Sequence, residues 1–272
     1  MAAGKDDLAL LVAAARAAGR LALDYQAKGY KTWEKPGHGP VTEADLAIDE
    51  QLKATLGGAR PGYGWLSEET ADDPARLGAG RLFVVDPIDG TRAYVKGRPY
   101  YAVSVAVVEA GRPIAGVVYN PAREELYAAA EGAGATLNEA PIAVSGRGDL
   151  SGARLVGSVD LFRSALWPTP WPALEISPSN SIAYALCQVA SGAQDGSVSL
   201  TGKSDWDIAA ADLIVAEAGG IASTHLGEAF AYNRAVTRHR NVVSAGPALH
   251  RRLMDKLKEF RPPEDVAARL IG

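Results

Sequence analysis

Two carboxylates stand three residues apart in the stretch DPIDGT, at Asp86 and Asp89, directly after the apolar run LFVV at 82–85. Held about 4 Å apart, two such charges repel by on the order of 4 kcal/mol at a surface-like dielectric. Protons, basic side chains or a divalent cation must offset that repulsion. Hard oxygen donors favour Mg²⁺, Mn²⁺ or Ca²⁺ over zinc. Taken alone, the motif also suits Asx-turns and helix caps. Two further acidic pairs occur, Glu68 with Glu69 in YGWLSEE, and Asp205 with Asp207 in DWD. Separately these read as a solvated strand end and as caps of the helix that follows.

The elements around these acids decide whether they can meet. The strand RLFVVD is expected to end at Pro87, which cannot supply a ladder hydrogen bond. Asp89-Gly90 is a turn pair, and Thr91 opens a short helix. Upstream, residues 6–28 have helical spacing at Leu8, Leu11, Val12 and Ala15, with Asp6 or Asp7 as cap and Gly29 as stop. KTWEKPGHGP at 31–40 reads as a short strand and a Gly/Pro loop, and Thr42 caps a second helix. After 71–80, a polar loop, YYAVSVAVVEAG, RPIAGVVYNPA and EELYAAAEGAGATL read as an antiparallel meander, with 138–144 as its edge. A change of character at 145–152 suggests a junction between an α+β subdomain, 1–150, and an α/β subdomain, 151–272. The second half alternates ARLVGS, SIAYALCQVASG, AQDGSVSL, DWDIAAADLIVAEAGG, NVVSAG and PALHRRLMDKLKEF as strands and helices. The pattern is a layered sandwich, antiparallel-rich first and α/β second.

Composition narrows the function. The chain has 272 residues, 47% hydrophobic, enough for a large core. Its net charge of −4 comes with no basic block, which argues against a nucleic-acid polymer as partner. The single cysteine, Cys187, lies in an apolar run and reads as a buried, inert thiol in a reducing compartment. No signal peptide or membrane-length apolar run is present, so a soluble cytoplasmic protein is expected.

Four motifs in one order, VTEAD at 41–45, SEE at 67–69, DPIDGT at 86–91 and WDIAAADLIVAEAGG at 206–220, resemble the inositol monophosphatase superfamily of metal-dependent phosphatases. The resemblance spans roughly residues 35–220. It implies an αβαβα sandwich and a cluster of two or three Mg²⁺ ions, with Mn²⁺ as a substitute. It implies that Glu68, Asp86 and the carbonyl of Ile88 hold one metal, that Asp86, Asp89 and Asp207 hold a second, and that a weaker third lies near Glu68. Thr91 and Asp45, with Glu68 alongside, match the residues that orient the attacking water. Backbone N–H groups at Gly90 and Thr91, with Asp89 and Asp207, suit the phosphate. The resemblance also implies a homodimer, and inhibition by Li⁺ if the enzyme is of the lithium-sensitive type.

Specificity is read from departures. Inositol monophosphatases carry an Asn-Phe pair after DGT, where this chain has Arg92-Ala93-Tyr94. They carry a glutamate seven residues before the WD aspartate, where this chain has Leu200 followed by Thr201, Gly202 and Lys203. Losing that acceptor weakens an inositol substrate. Lys203, with Arg92, is expected to read a second phosphate, and the surrounding pattern looks more like bacterial 3′(2′),5′-bisphosphate nucleotidases. The alternatives are an inositol-1-monophosphatase, a sugar or histidinol phosphatase, and a non-catalytic metal- or nucleotide-binding regulator. His38, His225, His239 and His250 lack metal-ligand spacing and are assigned to loops or the surface. The segment 35–40 is a candidate gate, Ser158 to Asp160 are candidate site-lining residues, and WPTPWP at 167–172 is a candidate dimer contact, substrate lip or plain surface loop.

Overall fold

A computed structural model describes residues 2–35 and 39–261. The chain begins with helix α1 (Ala2–Lys28), a hairpin of β1 (Thr32–Lys35) and β2 (Gly39–Thr42), and helix α2 (Glu43–Ala59). Strands β3 (Gly64–Ser67) and β4 (Arg81–Asp89) follow, then a short helix α3 (Thr91–Val95). Next come β5 (Ala102–Glu109), β6 (Arg112–Asn120), β7 (Glu125–Ala130), β8 (Ala135–Leu137) and β9 (Ala140–Pro141). These complete a seven-stranded sheet in sequence order, β3 to β9, antiparallel except for the β3–β4 pair.

The second half contains β10 (Ala153–Gly157), α4 (Val159–Phe162), β11 (Leu174–Ser177), α5 (Ile182–Ala190) and β12 (Gly196–Ser199). It continues with β13 (Lys203–Ser204), α6 (Asp205–Glu217), β14 (Ile221–Ser223), β15 (Arg238–His239), β16 (Val242–Ala245) and α7 (Pro247–Leu257). Its five-stranded sheet has the order β11-β10-β12-β16-β14, parallel at β10 and antiparallel at β16. The layers run α1/α2, seven-stranded sheet, α5/α6, five-stranded sheet, α7, which is the expected αβαβα sandwich.

Alternation along β4 builds two cores at once. Phe83 and Val85 pack against α1 and α2, while Leu82 and Val84 pack against α5 and α6. On the α5/α6 side the sheet and helix approach closely at Gly116, where a Cβ would lie 2.9 Å from the carbonyl of Ala210.

Several expectations change. The strand does not stop at Pro87. β4 runs on to Asp89 across a register shift, with Asp86 opposite Ser104 and Asp89 opposite Ala102. Two residues on β4, Pro87 and Ile88, oppose the single Val103 on β5, a bulge that tolerates the missing N–H of proline. Asp7 does not cap α1, which begins at Ala2. It is buried, accepting from Arg60 Nε at 3.0 Å, Tyr63 Oη at 3.0 Å and Arg81 Nη1 at 3.2 Å. EELYAAAEGAGATL is two strands, split by a turn with Gly132 and Gly134 at positive φ. WPTPWP is a surface segment without regular secondary structure, its three prolines exposed, but its tryptophans turn inward. Trp167 is buried in the core under the five-stranded sheet, and the partly buried Trp171 packs against that core. His250 is also buried, hydrogen-bonded to Ser223 at 2.9 Å, and His225 and His239 have partners in Asn241 and Asp205. His38 and half of the candidate gate, residues 36–38, lie outside the described residues.

Candidate active site

The bulge in β4 sets the geometry of the acids. In a regular strand, residues three apart face opposite sides. The extra residue inverts the alternation. Ile88 joins the α1/α2 core, as an odd-numbered residue would have done before the bulge. Asp86 and Asp89 therefore face the same side, toward α5 and α6. Asp207, in the first turn of α6, completes the group, and carboxylate oxygens of Asp86, Asp89 and Asp207 all lie within 4.8 Å of one another.

Each of these acids uses one oxygen for positioning. Ile88 N donates to Asp86 Oδ1 at 3.0 Å. Ser181 Oγ and Ala183 N, at the start of α5, donate to Asp89 Oδ2 at 2.6 and 2.7 Å. Ser204 N donates to Asp207 Oδ2 at 2.7 Å, closing a capping box on α6. Asx-turn and capping roles are thus real but account for only part of each carboxylate. The second oxygen of Asp86, fully buried, has no hydrogen-bond partner. A buried carboxylate oxygen left this way is costly unless something else neutralises it.

Glu68, Ile88, Gly90, Thr91 and Arg92 line the same cavity, of about 310 Å³, with Asp86, Asp89 and Asp207. Gly90 is left-handed (φ 96°), and a Cβ there would sit 2.8 Å from the carbonyl of Tyr100. Only glycine turns the chain here and leaves Thr91 at the head of α3. Thr91 Oγ1 lies 3.1 Å from Asp45 Oδ1 and 3.0 Å from the carbonyl of Ile88, donating its proton to one or the other. Asp45 is held by Thr42, whose N–H donates to Asp45 Oδ2 at 2.8 Å in the capping box of α2. Lys35 Nζ reaches the rim, donating to the Glu68 carbonyl at 3.1 Å and to Glu69 at 3.3 Å.

Burial and mutual repulsion raise the affinity of these groups for protons. Burial, then Asp207, Glu69, Asp89 and Asp45, pushes Glu68 up to about 8. Burial and Asp207 push Asp89 up to about 7, against the pull of Ser181, Ala183 and Lys203. Burial takes Asp45 up to about 6 and also raises Asp86 and Asp207. For Asp207, the Ser204 N–H, Lys203, Arg238 and His239 work in the opposite direction. The donor set is all hard oxygen, crowded and short of positive charge. Those features fit a divalent cation.

Not every predicted residue enters this cavity. Lys203 lies in a second groove of about 710 Å³, beside Leu200 and Ser158. Ser179 and Asn180 line both spaces. Ala93 and Tyr94 are buried, and Tyr94 Oη bonds the carbonyl of Ala22 in α1 at 2.7 Å. That departure from the Asn-Phe pair belongs to the core and says nothing of substrate. Arg92, by contrast, lines the acid cavity, with its guanidinium against Gly39 of β2. Residue-by-residue reading missed Ser181 as the anchor of Asp89. A serine directly before the apolar run IAYALC was the available signal, since it marks an N-cap. It also missed Arg238, whose guanidinium covers Gly202 beside Lys203.

Fold and cavity together have the form of a metal-dependent phosphatase. Residues 5–261 match the inositol monophosphatase family, and the chain belongs to that family of phosphoric monoester hydrolases. It is 32% identical over 265 residues to a Nus factor SuhB of Pasteurella multocida, covering 92% of this chain and 95% of the relative. It is 36% identical over 251 residues to a histidinol-phosphatase of Mycobacterium tuberculosis, covering 84% and 94%. An IMPase of Thermotoga maritima superimposes with a TM-score of 0.81 at 27% identity, covering 97% of this chain and 99% of that one. Among the described residues, no helix is long and apolar enough to cross a membrane.

Proposed function

We propose that the protein is a Mg²⁺-dependent phosphomonoesterase of a small phosphorylated metabolite. The substrate that fits best is a nucleoside 3′(2′),5′-bisphosphate, with 3′-phosphoadenosine 5′-phosphate converted to AMP and phosphate. The observation that carries the phosphatase reading is the cluster of Asp86, Asp89 and Asp207, together with the buried, unpartnered Oδ2 of Asp86. Glu68, Asp86 and the carbonyl of Ile88 would hold one ion, and Asp86, Asp89 and Asp207 the other. Such ions neutralise phosphate oxygens and make a bound water more acidic.

The chain's own groups supply orientation. Donating its proton to Asp45, the Thr91 hydroxyl turns a lone pair to the cavity and accepts a hydrogen bond from the attacking water. Asp45, raised to about 6, is ionised at neutral pH and receives the relayed proton. Glu68 presents a second carboxylate to the same cavity. A protein that only bound metal or nucleotide would have no use for the Thr91–Asp45 pair, which argues against the regulator reading.

The groove supports the substrate. Among the described residues no aspartate or glutamate lines it, and Lys203 is its one charged side chain. A polyol therefore meets no carboxylate acceptor there, and the ammonium of histidinol phosphate meets a like charge. A second phosphate meets Lys203, with Arg238 behind it. The names of relatives keep inositol 1-phosphate and histidinol phosphate as alternatives. Phosphate release with Mg²⁺ from all three substrates tests the choice. A kcat/KM at least tenfold higher for the bisphosphate, about 1.4 kcal/mol in transition-state binding, supports it. So does a rise in KM for the bisphosphate, but not for a monophosphate, in Lys203→Ala. Preference for either alternative overturns the nucleotide assignment, and no turnover of any ester overturns the phosphatase reading.

A further inference from the structure

We propose that the groove beside the acid cavity seats a planar heteroaromatic group of the substrate, and that Phe260 is the wall on which that group packs. The inference rests on the phosphatase reading above and adds to it a binding surface built by the far end of the chain.

The wall is prepared by the segment that read as a surface loop. Trp167 and Trp171 stand edge to face at 5.1 Å, and the Phe260 ring lies 4.7 Å from Trp167. Phe162 closes the other side of Trp171 at 5.1 Å. Polar clips fix the block. Trp167 Nε1 donates to the Leu161 carbonyl at 2.6 Å, and Arg261 N donates to Leu166 O at 3.0 Å. The ammonium of Lys256 is buried between the two indoles, 5.8 Å from each ring centre, and donates to Thr169 O and Oγ1 at 2.7 Å. A lysine placed this deep is a structural pin.

Phe260 is the member of this block that is both half-buried and part of the groove lining. Leu161 continues its surface, and Ile182, Ala185, Val198 and Leu200 form apolar lining of the same space. At about 710 Å³ the groove is of the size that takes a ligand with a flat ring system. Ser179 and Asn180 connect it to the acid cavity, so one molecule can place a phosphate in the cavity and a ring against Phe260. Lys203 is left for an anionic substituent. An aromatic platform binds any base through its π-face. The groove therefore selects for a planar ring system rather than for one base.

Two measurements test the proposal. The first is calorimetric titration of adenosine, which carries no phosphate, into the Mg²⁺-loaded protein and into Phe260→Ala, Phe260→Leu and Phe260→Trp. The second is the ratio of kcat/KM for 3′-phosphoadenosine 5′-phosphate to that for glycerol 2-phosphate in the same proteins. Stacking on an aromatic side chain predicts about a tenfold loss of adenosine affinity, and of that ratio, in Phe260→Ala. Phe260→Leu keeps the apolar volume and the fold yet loses most of the same factor, and Phe260→Trp recovers it. Adenosine that fails to bind the wild type, or a Phe260→Leu protein with wild-type affinity and ratio, overturns the proposal. If the bisphosphate is not hydrolysed but adenosine binds in a Phe260-dependent way, the substrate assignment falls and the groove stands.

Discussion

Asp86, Asp89 and Asp207 each divide their work between two oxygens. One oxygen is tied to a backbone N–H, and in Asp89 also to Ser181. This division separates stability from activity. Asp89→Asn keeps an acceptor for Ser181 and Ala183 and removes one of the repelling charges. It should leave the melting temperature of the metal-free protein unchanged or raised, while turnover falls about a thousandfold or more and the stabilisation by Mg²⁺ shrinks. Thermal melts with and without Mg²⁺, beside a phosphate-release assay, check this, and retained full activity would contradict the metal assignment. The acids themselves were legible because their motifs occur together in one order. Their partners were not, because Ser181 lies 92 residues from Asp89 and nothing in either stretch points to the other.

At the scale of elements, long apolar segments declared themselves and short ones did not. α1, α5 and α6 and the meander strands have enough periodic residues to fix their type. β11, β13, β14 and β15 have four residues or fewer and are defined by what they pair with. The bulge in β4 was half legible. Proline signalled an interrupted ladder, but only the partner strand shows that pairing resumes at Asp89. Gly90 follows directly and has no freedom to change. Gly90→Ala forces a left-handed backbone on alanine and a Cβ against the Tyr100 carbonyl. We expect a loss of about 2 kcal/mol or more in urea unfolding and a fall in kcat as Asp89 and Thr91 lose alignment. Wild-type stability in that variant would show that the turn can relax without cost.

Over the whole molecule, the middle layer belongs to both halves of the chain. The central core joins Leu82, Val84 and Val118 to Tyr184, Ile208 and Val242. Expressed separately, residues 1–150 and 151–272 should each lack a cooperative thermal transition, and a sharp transition in either would show a self-sufficient subdomain. The charge at the interface gives a second expectation. In the metal-free protein Asp89 and Glu68 titrate at about 7 and about 8, above the ordinary carboxylate range near 4. The native state then holds more protons than the unfolded chain across that interval, so this contribution to stability is lost as pH rises through it. Bound Mg²⁺ removes the penalty. The rise in melting temperature on adding Mg²⁺ should therefore be larger near about pH 8 than near about pH 5.5. Equal rises at both would mean that protons and metal do not compete.

The bond from the Ile88 amide to Asp86 Oδ1 has a use beyond geometry. It couples one backbone proton to the most deeply buried carboxylate of the cluster, whose other oxygen is unpartnered. Drawing electron density from that carboxylate weakens its grip on the amide. The ¹H–¹⁵N resonance of Ile88 should therefore move upfield in proton shift as Mg²⁺ is titrated, while amides on the α7 side of the molecule stay in place. The protein carries its own spectroscopic gauge of occupancy, readable with no substrate present.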